Sequence, residues 1–182
     1  MRCFIGIPIP ESCGNEIKRS LDSAFASRKL PGRLIAPRNY HLTLQFLGQT
    51  TQDLRTRIAE RIRQSKLTSP FNLVTGRLDG FPDEKHAKVL WLDLRSGLRN
   101  VGTLREEIHW ISELHEVPKE SFPFTPHITV ARCNQAADIR PLRQPPNPKG
   151  VVIPVESIAL FKSIPTEVGS EYTILEKFDL PM

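Results

Sequence analysis

No apolar run in the 182-residue chain approaches the roughly 18 residues that a transmembrane helix needs, which excludes a helical membrane span. Cysteine is scarce. Cys3, Cys13 and Cys133 are odd in number and form no C-x-x-C pair, which argues against a disulfide framework or a zinc site. Residues 1–10 carry one basic side chain and a short apolar run broken by Pro8 and Pro10. They lack the apolar core and small-residue cleavage site of a secretory signal, so a soluble, cytoplasmic protein is expected. No short repeat of solenoid type is visible either.

Hydrophobic residues make up 39% and charged residues 25%, which excludes a disordered chain and suffices for a core without disulfides or metals. One domain over residues 1–182, two lobes sharing a core, is the expected organisation. Lys and Arg total 25 against 20 Asp and Glu, a net charge of +5. That excess suits a polyanionic partner such as RNA or a nucleotide, and suits a plain basic surface equally well.

Periodicity predicts strands over residues 2–9, 41–47, 71–78, 88–94, 127–133, 151–162 and 172–180, with a short one at 34–36. Helices are predicted over 11–28, 51–66 and 98–114, where apolar residues such as Leu54, Ile58 and Ile62 recur at helical spacing. The proline-rich stretch 140–150 reads as a loop. The order β-α-β-β-α-β-β-α-β-β-β is that of an α+β protein. It holds a weak internal repeat: in each half a helix precedes a strand that begins with histidine.

Those two strands carry matching tetrads, His41-Leu42-Thr43-Leu44 and His127-Ile128-Thr129-Val130. Strand side chains alternate faces, so each tetrad presents an imidazole and a hydroxyl to one surface and anchors two apolar residues behind it. Composition alone produces two such tetrads among five histidines with a chance of roughly one in a thousand. Two imidazoles suit in-line displacement at a phosphodiester. One takes a proton from the attacking oxygen while the other gives one to the leaving oxygen, and histidine does either near neutral pH. The threonine hydroxyls can hydrogen-bond the non-bridging oxygens as charge builds there. Neither step needs a metal.

Paired H-x-T-x tetrads resemble the signature of the 2H phosphoesterase superfamily, and the flanking stretches resemble its RNA 2′,3′-cyclic phosphodiesterase branch, also described as 2′-5′ RNA ligases. The flanking residues are Arg2-Cys3-Phe4-Ile5-Gly6-Ile7, Gln45-Phe46-Leu47-Gly48, Val89-Leu90-Trp91-Leu92, Ala131-Arg132, Leu160-Phe161-Lys162-Ser163 and Tyr172. The resemblance implies a bilobal α+β fold of two pseudo-symmetric lobes. Each would be a mixed or antiparallel sheet with helices packed outside, and the tetrads would face each other across a central groove. It implies no cofactor, and a monomer acting on RNA ends or nucleotides with a 2′,3′-cyclic phosphate. His41 would be the proton donor to the leaving 3′ oxygen, His127 the base for water, and Arg132 a phosphate-binding cation. The residues themselves do not assign donor and acceptor, because the tetrads look alike.

Arg132 stands five residues after His127, so regular alternation turns it away from the groove unless the strand bulges or ends there. Gln45 shares the parity of His41 and Thr43 and would line the groove. Phe4 is expected in the core rather than in a base pocket. Phe81 could stack a base and Lys88 touch a phosphate. Trp91 lies in an apolar run and is read as core. His86, His109 and His115 lack tetrads and are read as structural or solvent-facing. The segment Phe122-Pro123-Phe124 is expected to pack under the second tetrad. Two rival functions are a non-catalytic RNA-binding module in the same groove, and a metallohydrolase built on His41, His127 and Cys133. The second lacks a clustered carboxylate or a third histidine.

Overall fold

The structure is a computed structural model that describes residues 1–115, 117, 123–166 and 169–182. Among the described residues, nine strands and three α-helices follow one another as β1 (Arg2–Pro8), α1 (Glu11–Ala24), β2 (Arg33–Leu34), β3 (His41–Gln49), α2 (Gln52–Gln64), β4 (Phe71–Phe81), β5 (Ala87–Ser96), α3 (Leu98–Glu113), β6 (Ile128–Ala137), β7 (Val152–Val155), β8 (Ser157–Thr166) and β9 (Gly169–Asp179). The strands form two sheets, in the orders β3-β1-β8-β9 and β2-β6-β5-β4-β7. Every described pairing is antiparallel.

The internal repeat becomes topology. β1 and β3 are antiparallel neighbours joined through α1, and β5 and β6 are antiparallel neighbours joined through α3. Laid over each other, β3-β1-β8-β9 matches β6-β5-β4-β7, and β2 is the extra strand, added beyond β6.

The predicted strand over 151–162 is two strands in different sheets. β7 edges the second sheet beside β4, and β8 lies inside the first beside β1. Pro154, opposite Asn72, has no N–H to donate, and an edge position tolerates that. In the stretch read as a loop, residues Arg140–Arg143 form a 3-10 turn. Leu114 falls outside the buried stripe of α3 and is 52% exposed, because the helix stops at Glu113.

The helices bury their apolar stripes, Ile17 and Leu21 in α1, Ile58 and Ile62 in α2, and Val101, Leu104, Ile108 and Ile111 in α3. These join one apolar cluster with Ile5, Leu42, Leu90 and Ile128 of the two sheets. Thr51 caps α2 by accepting a hydrogen bond from Leu54 N at 3.2 Å, an arrangement that contributes about 1 kcal/mol. α1 is tied to the second sheet through Ser20, whose hydroxyl donates to Lys149 O at 2.8 Å just before β7. Phe122 lies outside the described residues, and Phe124 is partly buried against the core. No helix among the described residues is long and apolar enough to cross a membrane.

Candidate active site

Both tetrads open onto one groove of about 410 Å³, lined by His41, Thr43, His127, Thr129 and Arg132 among others. The remaining described lining residues, including Arg2, Phe4, Phe46, Ser163 and Tyr172, come from strands, and His127 immediately precedes β6. Alternation works as expected within each tetrad. Leu42 and Ile128 are fully buried, while His41, Thr43, His127 and Thr129 are half-buried.

Alternation then fails on both strands at the same step. On β3, Thr43 faces Gly6 and Gln45 faces Ile5, which leaves Leu44 as an extra residue. On β6, Thr129 faces Trp91 and Ala131 faces Leu90, which leaves Val130 extra. The last residue of each tetrad is therefore a β-bulge, and the side chains that follow it change face until the next register shift of the strand. Arg132 turns into the groove as a result, and no ion pair holds it among the described residues.

The same step corrects the reading of Gln45. It is 1% exposed, lies under the sheet, and accepts a hydrogen bond from His109 Nδ1 at 3.0 Å while its own amide donates to Phe46 O. The groove position belongs to Phe46, which is 56% exposed. Phe46 and Arg132 each stand five residues after a tetrad histidine, so they are counterparts in the repeat. Aligning the two tetrads and extending the alignment past them is the signal that finds Phe46. Gly6 makes room for the first bulge, since a Cβ there would stand 2.8 Å from Leu42 O.

The two imidazoles are held alike. His41 Nδ1 donates to Asn39 O at 2.8 Å and His127 Nδ1 to Thr125 O at 2.7 Å, each a carbonyl two residues back. A carbonyl only accepts, so in each neutral ring Nδ1 carries the proton and Nε2 is the basic nitrogen. Aromatic rings flank both. Tyr172 stands edge-on to His41 at 4.5 Å between centroids, with Phe4 at 4.9 Å and Phe161 at 5.6 Å. Phe81 stands edge-on to His127 at 5.1 Å, with Trp91 at 5.5 Å.

These walls keep water off the rings. Burial lowers the pKa of His41 to about 4, against the opposing pull of the Asn39 carbonyl, and the charges of His127 and Arg132 push the same way as burial. Burial also lowers the pKa of His127, again opposed by its carbonyl partner and assisted by Arg132.

Phe4 is 2% exposed and stacks on Phe161 at 4.7 Å, the expected core position, and also backs His41. Phe81, read as a base-stacking candidate, is engaged with Trp91 and His127. Trp91 is buried as expected and supports His127 as well. Lys88 and Cys133 line a neighbouring cavity rather than this groove. His86 pairs with Asp83 at the surface, and His109 pairs with Glu113 on α3. Among the described residues, no three His, Cys, Asp or Glu side chains gather as metal ligands.

The profile of the 2′-5′ RNA ligase superfamily matches residues 16–163. The RNA 2′,3′-cyclic phosphodiesterase of Aquifex aeolicus is 31% identical over 99% of this chain and 97% of its own length. That of Thermus thermophilus is 33% identical over 99% of this chain and 90% of its own. Among solved structures, E. coli LigT complexed with 3′-AMP superposes with a TM-score of 0.81 at 23% identity, covering 100% of this chain and 98% of that one. The likeness to LigT is one of fold. The chain belongs to the 2′-5′ RNA ligase superfamily and, within it, to the family of the RNA 2′,3′-cyclic phosphodiesterases.

Proposed function

We propose that this protein hydrolyses 2′,3′-cyclic phosphates at RNA ends or on nucleotides and leaves a 2′-phosphate. The observation that carries this reading is the meeting in one groove of two identically held imidazoles, two threonines and an arginine with no ion-pair partner among the described residues.

The cyclic phosphate sits between the imidazoles. Water attacks phosphorus in line with the 3′ oxygen, and His127 Nε2 takes the proton that water loses. The P–O3′ bond breaks, and His41 delivers a proton to the departing 3′ oxygen. Phosphorus keeps its bond to the 2′ oxygen. Thr43 and Thr129 hydrogen-bond the non-bridging oxygens, and Arg132 offsets their charge. Solvent resets both histidines after product leaves. This division of roles rests on the family resemblance, since the two halves of the site are built alike and do not distinguish donor from acceptor.

Burial keeps both imidazoles neutral at pH 7 in the free protein. The proton donor must carry a proton, and the anionic phosphate stabilises it there. An opposite charge within a few ångströms raises a depressed histidine pKa. The donor is thus armed by its substrate. An RNA 5′-hydroxyl in the place of water gives a 2′-5′ bond by the same displacement, without ATP.

The test is phosphorus NMR of a 2′,3′-cyclic nucleotide with the purified protein in excess chelator. A 2′-monophosphate signal is expected. A 3′-monophosphate would reverse the broken bond and the roles with it. Binding of RNA with no turnover on any cyclic end would favour a non-catalytic RNA-binding module.

A further inference from the structure

A larger cavity of about 860 Å³ adjoins the groove, and Arg132 lines both. Among the described residues, its other charged lining residues are Arg33 and Lys88, with no Asp or Glu. Arg33 lies on β2, the strand without a counterpart in the repeat, and stands directly opposite Arg132 on β6. Like charges directly opposite on neighbouring strands are destabilising. Neither arginine, nor Lys88, has an ion-pair partner among the described residues. The fold therefore gathers three cations in one recess, and no described side-chain carboxylate pairs with them.

A cyclic phosphate ends an RNA strand at its 3′ terminus, and the next phosphate belongs to the preceding nucleotide. With the terminal phosphate in the groove, Arg132 touches both compartments, and the chain must leave along an open path. The neighbouring cavity is such a path, and its volume falls in the range of sites that hold a nucleotide-sized ligand. Resting on the function proposed above, we infer that Arg33 and Lys88 form a second phosphate site for the preceding nucleotide of a single-stranded RNA. The enzyme then prefers oligonucleotide ends to cyclic mononucleotides.

The experiment compares wild type with an Arg33→Gln, Lys88→Gln double variant. One readout is kcat/KM for a 2′,3′-cyclic mononucleotide and for a trinucleotide with the same end. Wild type is expected to favour the trinucleotide by about tenfold or more, the scale of one charged hydrogen bond, and the double variant to bring the ratio close to one. A trinucleotide with an uncharged methylphosphonate before the last nucleotide should lose the same advantage in wild type.

The second readout needs no turnover. It is fluorescence anisotropy of a labelled single-stranded tetranucleotide bearing a 2′-phosphate end, measured across salt concentrations. The salt slope of log K should fall by about 0.7 for each phosphate that the variant no longer neutralises. Melting temperature should hold or rise in the variant, because a like-charge pair is removed. An unchanged ratio together with an unchanged salt slope overturns the second site and leaves the hydrolase standing. No turnover on either substrate, with the slope reduced, removes the hydrolase reading and keeps an RNA track.

Discussion

In the first sheet Gly6 stands opposite Thr43; at the equivalent place in the second sheet, Trp91 stands opposite Thr129. Five residues after each histidine the repeat places Phe46 on one side and Arg132 on the other. What the halves share is a histidine bound through Nδ1 to a carbonyl two residues back, a threonine on the same face, and a bulge after it. What they do not share is everything that would tell one end of a substrate from the other. Acid–base chemistry needs two similar groups on opposite sides of phosphorus. Orientation needs a difference, and here an arginine on one side faces an aromatic on the other.

The comparison breaks most visibly at the histidines. His41→Ala and His127→Ala are each expected to lower kcat for a 2′,3′-cyclic nucleotide by about 10²–10⁴-fold, measured by product formation. A near-normal rate in either variant would end the equivalence of the halves.

The halves differ next in acid. The unfolded chain takes up a proton on His41 near pH 6.5, while the folded chain resists until about 4. Stability from this site is therefore fully present above pH 6.5 and is lost as pH falls toward 4, by roughly 3 kcal/mol at most. Urea unfolding at pH 7 and pH 4.5 should show the decline, and His41→Gln should flatten it more than His127→Gln. The rate carries the same signature. The bell for kcat/KM should peak on the acid side of pH 6.5, and that for kcat at higher pH, because bound phosphate raises both histidines. Coincident bells would mean that substrate does not arm the donor.

Arg132→Gln should cost about 10–100-fold in kcat/KM, the scale of 1.5–3 kcal/mol for a hydrogen bond to a charged group. Phe46→Ala should act differently, raising KM for a nucleotide by less than Arg132→Gln lowers kcat/KM. It should have no effect on ribose 2′,3′-cyclic phosphate, which has no base to stack. Equal losses on both substrates would make Phe46 a wall rather than a platform. The smallest effect is expected at Gln45→Ala: a loss of about 1 kcal/mol in stability from the broken link to His109, with kcat nearly unchanged.

The chemistry of the site was legible because it lies in short, regular stretches. His-x-Thr-x reads correctly on any strand, since two-residue alternation needs no knowledge of the partner strand. The residues after it were not legible by the same rule. Whether Gln45 or Phe46 enters the groove depends on an extra residue opposite Ile5 and Gly6, and that is a property of strand pairing. The split of the 151–162 stretch is of the same kind. Residues Val151 to Lys162 have one continuous strand-like pattern, yet hydrogen-bond first to β4 and then to β1. The short β2 is barely a strand by pattern, so its role in setting Arg33 beside Arg132 appears only in the sheet order.

The bulges at Leu44 and Val130 have a consequence for how this sequence tolerates change. A strand with alternating faces resembles a text read in frames of two, and each bulge is a frameshift written into the protein. Removing Leu44 would restore alternation at that step and send Gln45 outward and Phe46 into the core, as far as the second register shift of the strand at Leu47. A substitution at the same place would disturb only its own neighbours. In most strands insertions and deletions are the damage and regularity the repair. At these two positions regularity is the damage, and an isolated deletion that leaves each histidine and threonine in place is expected to disrupt the groove beside it.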